Sequence, residues 1–544
     1  MKQTYVIGVD FGTDSVRAIL VNTKDGHVIS SAIHQYARWS KGLYCEPKEQ
    51  KFRQHPLDHI EGIEKSIVAT VKNSDVDSSL IKGICIDTTG SSPIPLHKNR
   101  KALALTEDFK ENPNAMMILW KDHTAVSEAK EITELAKTWD GPNVTQFVGG
   151  VYSSEWYWAK ILHISRIDSK VRSAAYYWME HCDYMTYLLI GSPDIENFKR
   201  SRCAAGHKAM WHPQWDGLPP KTFLKTLDPY LAQLRCHSYK QTFTSNQVAG
   251  KLCEEWAVRL GLSQDTIVAV GTFDAHAGAV GAGISKNTMV KVMGTSTCDI
   301  VFSSSRALEE VALPGICGQV EGAVIPGQLG LEAGQSAFGD VLAWFVNLLY
   351  WPLQNIQTDQ NITPADIHLS LSKAAAVLED SSAIPLSIDW INGRRTPDAN
   401  QHLKAVISQL DLGTQAPHIY KSLVEAICFG AKKILEHFEH YTIEIEQIIG
   451  VGGVAKKSPM VMQTLANVLN RSIKISATDQ ACALGASIYA AVAAGIYSTV
   501  EEAIKYMSSD CDKEYCPEPE KVSFYIKKYK QYEVLGTFVE ETFG

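Results

Sequence analysis

The chain opens on an unbroken apolar run, Tyr5–Val9, followed by the polar stretch Asp10-Phe11-Gly12-Thr13-Asp14-Ser15 and a second β-rich run, Val16–Val21. Two such runs around a short turn containing glycine predict a β-hairpin. Apolar positions then recur at helical spacing over Pro56–Val71, Thr124–Thr138, Ser153–Ser165 and Ala174–Ile190, the last stopped by Gly191 and Pro193. Short apolar runs predict strands at Ile81–Ile86, Thr266–Val270, Ile448–Val451 and Ile473–Ser476. Helices rich in small residues are expected at Ala277–Gly283 and Ala481–Gly495, and another helix at Pro459–Leu469. Strands alternating with helices in this way predict an α/β protein.

The opening pattern returns about half a chain later. Met289–Ser303 (MVKVMGTSTCDIVFS) is again an apolar strand, a Gly-Thr turn and an apolar run, so that Gly12-Thr13-Asp14-Ser15 lines up with Gly294-Thr295-Ser296-Thr297. The strand before Asp87-Thr88-Thr89-Gly90 has a counterpart before Gly452-Gly453. The strand before Asp274, with its small-residue helix, has a counterpart before Asp479. Three matches in one order predict a duplicated domain, divided as residues 1–285 and 286–544. Two facing glycine turns would hold a polyphosphate in the cleft between the halves, because turn N–H groups bind anionic oxygens. Gly452 and Gly453 would let the backbone approach a base or ribose. No P-loop pattern is present, and no dinucleotide-binding GxGxxG follows a strand.

Length and charge narrow the picture. At 544 residues the chain is too long for one core, and a net charge of −8 argues against a nucleic-acid-binding surface. Twelve scattered cysteines without metal-ligand spacing suit reduced thiols in a cytoplasm. The long uncharged stretch Ala481–Tyr497 falls just short of the ~20 residues of a membrane span and reads as a buried helix.

Candidate chemistry sits at the ends of the predicted strands. Asp274, at a strand-to-helix junction, is either a helix cap or a carboxylate facing a crevice, where burial would fit it to accept a hydroxyl proton. Asp10 would hold a metal ion through water, and Thr13 and Ser15 offer hydroxyls. Ser92 lies in a strand-end loop. Asp122, beside Trp120, is a polyol contact or a cap. Lys208 is a charged contact among small residues, whereas His207 and Cys203 lack partner spacing for a catalytic dyad and read as structural. The charged, tyrosine-rich tail Glu501–Gly544 fits a final helix on the second half or an interface.

With these residues in hand, the chain resembles the FGGY family of carbohydrate kinases. Asp10, Gly12, Thr13, Ser15 and Arg17 match a first phosphate motif, D-x-G-T-x-S-x-R. Gly294-Thr295-Ser296 resembles the second, Val451-Gly452-Gly453 the adenosine motif, and Gly271–His276 the segment of the catalytic aspartate. The stretches QHPLDHIE, RCAAGHKAMW, GTFDAHAGAVGAG, KVMGTSTCD and GAVIPGQLGLEAGQSAFG are most similar to those of ribulokinases. The resemblance implies two duplicated actin-like (ribonuclease H-like) domains of the sugar kinase–Hsp70 ATPase fold, with an interdomain cleft. It implies ATP and Mg²⁺ as cofactors, with L-ribulose as the sugar phosphorylated at O5. It places Asp274 as the base, with Lys208, Glu332, Ser92 and Asp122 at the sugar. Asp10, Gly12, Thr13, Asp14, Ser15, Arg17, Gly294, Thr295, Ser296, Gly334, Gly452, Gly453 and Lys457 fall to the nucleotide. The chain departs from the family pattern at Asp14, where many members carry Gln, Thr or Asn. A homodimer is the family-based expectation for assembly. The alternatives are an FGGY kinase for another pentulose or pentitol, such as D-ribulose or ribitol, a non-catalytic sugar sensor, and an actin-like or Hsp70-like ATPase without a sugar pocket.

Overall fold

A computed structural model of the chain describes residues 3–305, 308, 311–356, 361–381 and 383–543. The first hairpin forms as the pattern predicts. Tyr5–Phe11 (β1) is buried at every residue but Asp10, and it pairs antiparallel with Ser15–Asn22 (β2). Val28–Gln35 (β3) extends the sheet on one side. On the other side Ile81–Thr88 (β4) pairs parallel with β1, followed by Val248–Lys251 (β5) and Ile267–Ala269 (β6), while Thr272–Phe273 (β7) joins beside β4. In space the order is β5-β6-β4-β1-β2-β3.

The second half repeats this design. Its strands are Thr288–Met293 (β8), Thr297–Ser303 (β9), Gly318–Glu321 (β10), Leu329–Ala333 (β11), Gln447–Val451 (β12), Ile473–Ser476 (β13) and Cys511–Tyr515 (β14). They lie in the order β10-β11-β9-β8-β12-β13-β14. Leaving out the extra edge strand β10, each neighbour pair has the same direction as its counterpart in the first sheet. The duplication read from the sequence is therefore a duplication of topology.

Four helices position the chemistry of the first half. They are Pro56–Lys72 (α1), Tyr157–Ile167 (α2), Arg202–Ala209 (α3) and Asp274–Gly281 (α4). In the second half, Gly453–Lys457 (α5) and Ala481–Ala493 (α6) are the counterparts that matter, and Pro519–Phe543 (α7) closes the chain. The small-residue helices α4 and α6 cross between the two sheets, and α6 packs on β1 and β4 of the first half. Small residues are required there. A Cβ on Gly8 would stand 1.8 Å from the Ala483 carbonyl oxygen, and one on Gly485 would stand 1.7 Å from that of Ala277. Within Ala481–Tyr497 the chain thus forms the interdomain core helix α6, which ends at Ala493, and among the described residues no helix is long and apolar enough to cross a membrane.

One expected helix divides. Within Ala174–Ile190 the chain forms a short strand, Tyr177–Met179, paired antiparallel with Ile94–Leu96, and the helix begins at His181. Partner strands recruited the Tyr-Trp-Met segment, whose aromatic residues suit a strand as well as a helix.

Candidate active site

The strand ends converge on an acidic corner. Asp10 and Asp87 are register partners on β1 and β4, and Thr272 of β7 pairs with Asp87 from the other side. β7 leads straight into α4, whose first residue is Asp274, with its Oδ1 accepting the Ala275 N–H at 2.7 Å. Burial pushes the Asp274 carboxyl up to about 7, with the Asp10 charge adding to the shift. Asp87 is fully buried, and both of its oxygens lack a partner among the described residues. Burial first, then Asp10 and Asp274, drives its carboxyl well above the usual range. Asp10 is raised by burial too, opposed by Arg17, which stands 3.9 Å away across the hairpin. Asp10, Asp87 and Cys482 present ligand atoms within 4.8 Å of one another. Asp87 carries no site assignment from the sequence, where it stands as the one acidic residue of the strand Ile81–Thr88.

A second group lies next to Asp274. Lys208 on α3 donates to both carboxylate oxygens of Glu332 on β11, at 2.9 and 3.2 Å, joining the two halves of the molecule. Burial works against the lysine charge, but Glu332 outweighs it and the ammonium is held above its ordinary range. The Lys208 ammonium also lies 5.2 Å from the Trp156 ring centre. The Lys208 ammonium also lies 5.9 Å from the ring centre of Phe273, the residue before Asp274, so the pair sits beside the start of α4. Ser92 lies in the loop that follows β4. Its N–H donates to Glu180 at 2.8 Å, and its buried Oγ has no partner among the described residues. Lys160 on α2 anchors this loop by donating to the carbonyls of Ser91 and Leu119, each at 2.7 Å. Burial lowers Lys160 and raises Glu180.

Asp122 does not join the sugar-side group. It is fully buried, forms an ion pair with Arg53, and accepts from the Phe52 N–H at 2.7 Å and the Thr124 hydroxyl at 2.6 Å. Of the two roles open to it from sequence, the structure favours the internal one. Its neighbour Trp120 faces the site instead, donating from Nε1 to the Thr13 hydroxyl at 3.0 Å.

The glycine turns differ by one residue. The outermost pairs Phe11↔Val16 and Met293↔Thr297 enclose four positions, Gly12–Ser15, in the first turn and three, Gly294–Ser296, in the second. Each is closed by a glycine N–H, Gly12 donating to the Ser15 carbonyl and Gly294 to that of Ser296, both at 3.0 Å. The additional room in the first turn is taken by Asp14, whose carboxylate accepts the Trp39 Nε1–H at 2.6 Å. Thr295 accepts backbone N–H groups from Phe338 and Asp340, and the Lys121 ammonium acts on Asp340. Lys121 follows Trp120, which holds Thr13, so the segment that holds the first turn bears on Asp340, which donates to the second.

Gly452 has φ +98° and abuts the carbonyl of Met293, while the space around Gly453 is open. Lys457 is exposed at the end of α5, and its neighbour Lys456 ties that helix to Asp479 at 2.6 Å. Gly334 is packed internally, since a Cβ there would stand 2.1 Å from the Thr297 carbonyl oxygen. It supports the second turn from below.

Comparison with known proteins was made on this geometry. Residues 5–281 match the N-terminal domain, and residues 289–494 the C-terminal domain, of the FGGY family of carbohydrate kinases. The chain belongs to that family. A ribulokinase of Vibrio parahaemolyticus is 46% identical over 549 residues, covering 99% of this chain and 96% of that protein. A ribulokinase of Halalkalibacterium halodurans is 33% identical, with 99% and 95% covered. Among solved structures, xylulose kinase of Rhodospirillum rubrum superposes with a TM-score of 0.81 at 20% identity, covering 99% of both chains. At that identity the likeness speaks to the fold, and it is the two-domain sugar-kinase fold of the FGGY family. The chain is an enzyme of the carbohydrate kinase type, and the expected duplicated α/β architecture stands.

Proposed function

We propose that this FGGY kinase transfers the terminal phosphoryl group of ATP to O5 of L-ribulose, giving L-ribulose 5-phosphate for L-arabinose catabolism. The observation that carries this reading is the convergence of Asp274, the Lys208–Glu332 pair and two glycine turns on one cleft, in a chain 46% identical to a ribulokinase along nearly its whole length. Twelve free thiols suit a reducing cytoplasm.

Phosphoryl transfer depends mainly on positioning and charge stabilisation. Lys208 and Glu332 hold the sugar hydroxyls and carbonyl, with Ser92 Oγ as a further donor. Such polar contacts reject wrong epimers more strongly than apolar fit does. Asp274 accepts the proton of the attacking hydroxyl, a role suited to a carboxyl raised to about 7. The hydroxyls and N–H groups of Thr13 and Thr295 bind the phosphate oxygens from either side, and Gly452–Gly453 accommodates the adenosine. The acidic corner fits Mg²⁺, because Asp87 offers two buried, unpartnered oxygens beside Asp10 and hard oxygen donors are what this ion takes. Asp10, through water, and Asp87 would hold it. Bound there, it supplies positive charge that neutralises phosphate oxygens. Closure of the two halves excludes water, which otherwise competes as acceptor.

ADP release across the four 2-ketopentoses and ribitol tests the substrate. L-ribulose is expected to give the highest kcat/KM, and a clear preference for another sugar would overturn the choice. In the same assay Lys208→Ala is expected to raise the sugar KM by about tenfold or more, since a charged hydrogen bond is lost, with the ATP KM little changed. An unchanged sugar KM would remove Lys208 from the site. The pH profile has a definite sign. A base whose folded pKa is about 7 is protonated, and idle, below that pH. Thus kcat/KM should fall about tenfold per unit as pH drops below it and level off above. A profile flat between pH 5 and 8 would exclude Asp274 as the titrating base.

A further inference from the structure

Two histidines lie behind the sugar-side pair and have no role in the mechanism above. His207 precedes Lys208 on α3, and His276 sits in the first turn of α4, after Asp274. Their rings are 0% and 1% exposed, and among the described residues neither Nδ1 has a hydrogen-bond partner. The two Nε2 atoms are 3.0 Å apart, so one ring donates and the other accepts. His207 Nδ1 lies 3.4 Å from Glu332 Oε2, and His276 Nε2 lies 3.9 Å from the same oxygen.

Only one pair of neutral tautomers suits these distances. If His276 donates from Nε2, His207 accepts at Nε2 and turns its Nδ1–H toward the Glu332 carboxylate. The reverse assignment would aim a lone pair at the carboxylate oxygen. Both rings are neutral, because burial lowers His207 well below its ordinary range and His276 to about 4. Burial would raise the Glu332 carboxyl, but the Lys208 ammonium holds it well below the usual range.

The backbone makes room for this contact. Gly318 on β10 is the register partner of Glu332, and a Cβ there would stand 2.4 Å from His207 Nδ1. The ring is therefore seated against bare backbone beside the carboxylate it faces.

We infer that the His276–His207 chain is a positioning device that fixes the Glu332 carboxylate, and through it Lys208, for the sugar. It also couples that orientation to α4, the helix that opens with Asp274. The inference rests on the reading of Lys208 and Glu332 as sugar contacts.

Three variants test it, with the preferred sugar and ATP varied separately. His276→Leu removes the donor at similar volume, His276→Gln keeps an N–H near the Nε2 position, and Gly318→Ala displaces the His207 ring without removing any donor. His276→Leu and Gly318→Ala should each raise the sugar KM about tenfold, with the ATP KM unchanged, whereas His276→Gln should stay within about threefold of wild type. An unchanged sugar KM in His276→Leu and Gly318→Ala overturns the inference, as does equal loss in His276→Leu and His276→Gln. If His276→Leu does not fold, Gly318→Ala decides alone. Glu332→Gln is measured alongside. If it leaves the sugar KM unchanged, the site reading itself fails. If it raises the KM while the other variants do not, only the positioning role fails.

Discussion

Asp274→Ala is expected to lower kcat by about 10²–10⁴-fold while leaving the ATP KM largely as it was. The size follows from the role. The hydroxyl proton must leave as the bond to phosphorus forms, and Asp274 is the carboxyl that lies beside both the sugar-side pair and the acidic corner. Removing it leaves the glycine turns, Lys208 and Glu332 in place, so binding survives and the chemical step does not. Folding should not suffer. Among the described residues the Asp274 side chain accepts a hydrogen bond only from the adjacent Ala275 N–H, and its burial among acids is unfavourable. A folded Asp274→Ala protein turning over at near wild-type rate would remove the assignment. Steady-state kinetics with an unfolding control make the measurement.

Gly485→Ala is the second large effect, and it reaches the site through packing. In an isolated helix this change stabilises by about 1 kcal/mol. Here the sign reverses, because the new Cβ would stand 1.7 Å from the Ala277 carbonyl oxygen and 2.9 Å from the Gly281 nitrogen, both backbone atoms of α4. Neither can rotate away as a side chain could, so the helices must separate. Overpacking of this kind costs about 1–3 kcal/mol, which outweighs the gain in helix propensity. Displacing α4 moves Asp274 at its first turn, and catalysis is sensitive to misplacement on the ångström scale. Denaturant unfolding should give a lower midpoint, and kcat should fall with it. A variant as stable and as active as wild type would show that α4 and α6 do not register the catalytic aspartate.

Most of the frame was legible because it was written locally and twice. The hairpins at Tyr5–Asn22 and Thr288–Ser303 declare themselves by apolar runs around Gly-Thr turns, and the parallel strands that follow are short apolar runs with polar ends. What was not legible depended on distant partners. Lys160 falls in the expected helix Ser153–Ser165 with nothing near it in sequence to single it out, yet it holds the Ser91 carbonyl, 69 residues away in the chain. Asp122 had two readings beside Trp120, and Arg53, which pairs with it, gave no sign of doing so. Asp14 falls to the nucleotide by family resemblance, at a position where many members carry another residue. The additional position in the first turn was visible only once the strand register fixed its ends. His207 reads as structural because its partner, His276, is 69 residues away in the chain, on α4.

The claim that holds the account together is that the cleft passes a phosphoryl group from ATP to O5 of L-ribulose. Following the reaction by ³¹P NMR with L-ribulose, ATP and Mg²⁺ tests it most directly. The account predicts one phosphomonoester with phosphorus coupled to the C5 protons, ADP formed in equal amount, and no such product with Asp274→Ala on the same timescale. Phosphate on another carbon, or ATP hydrolysis indifferent to the sugar, would contradict it.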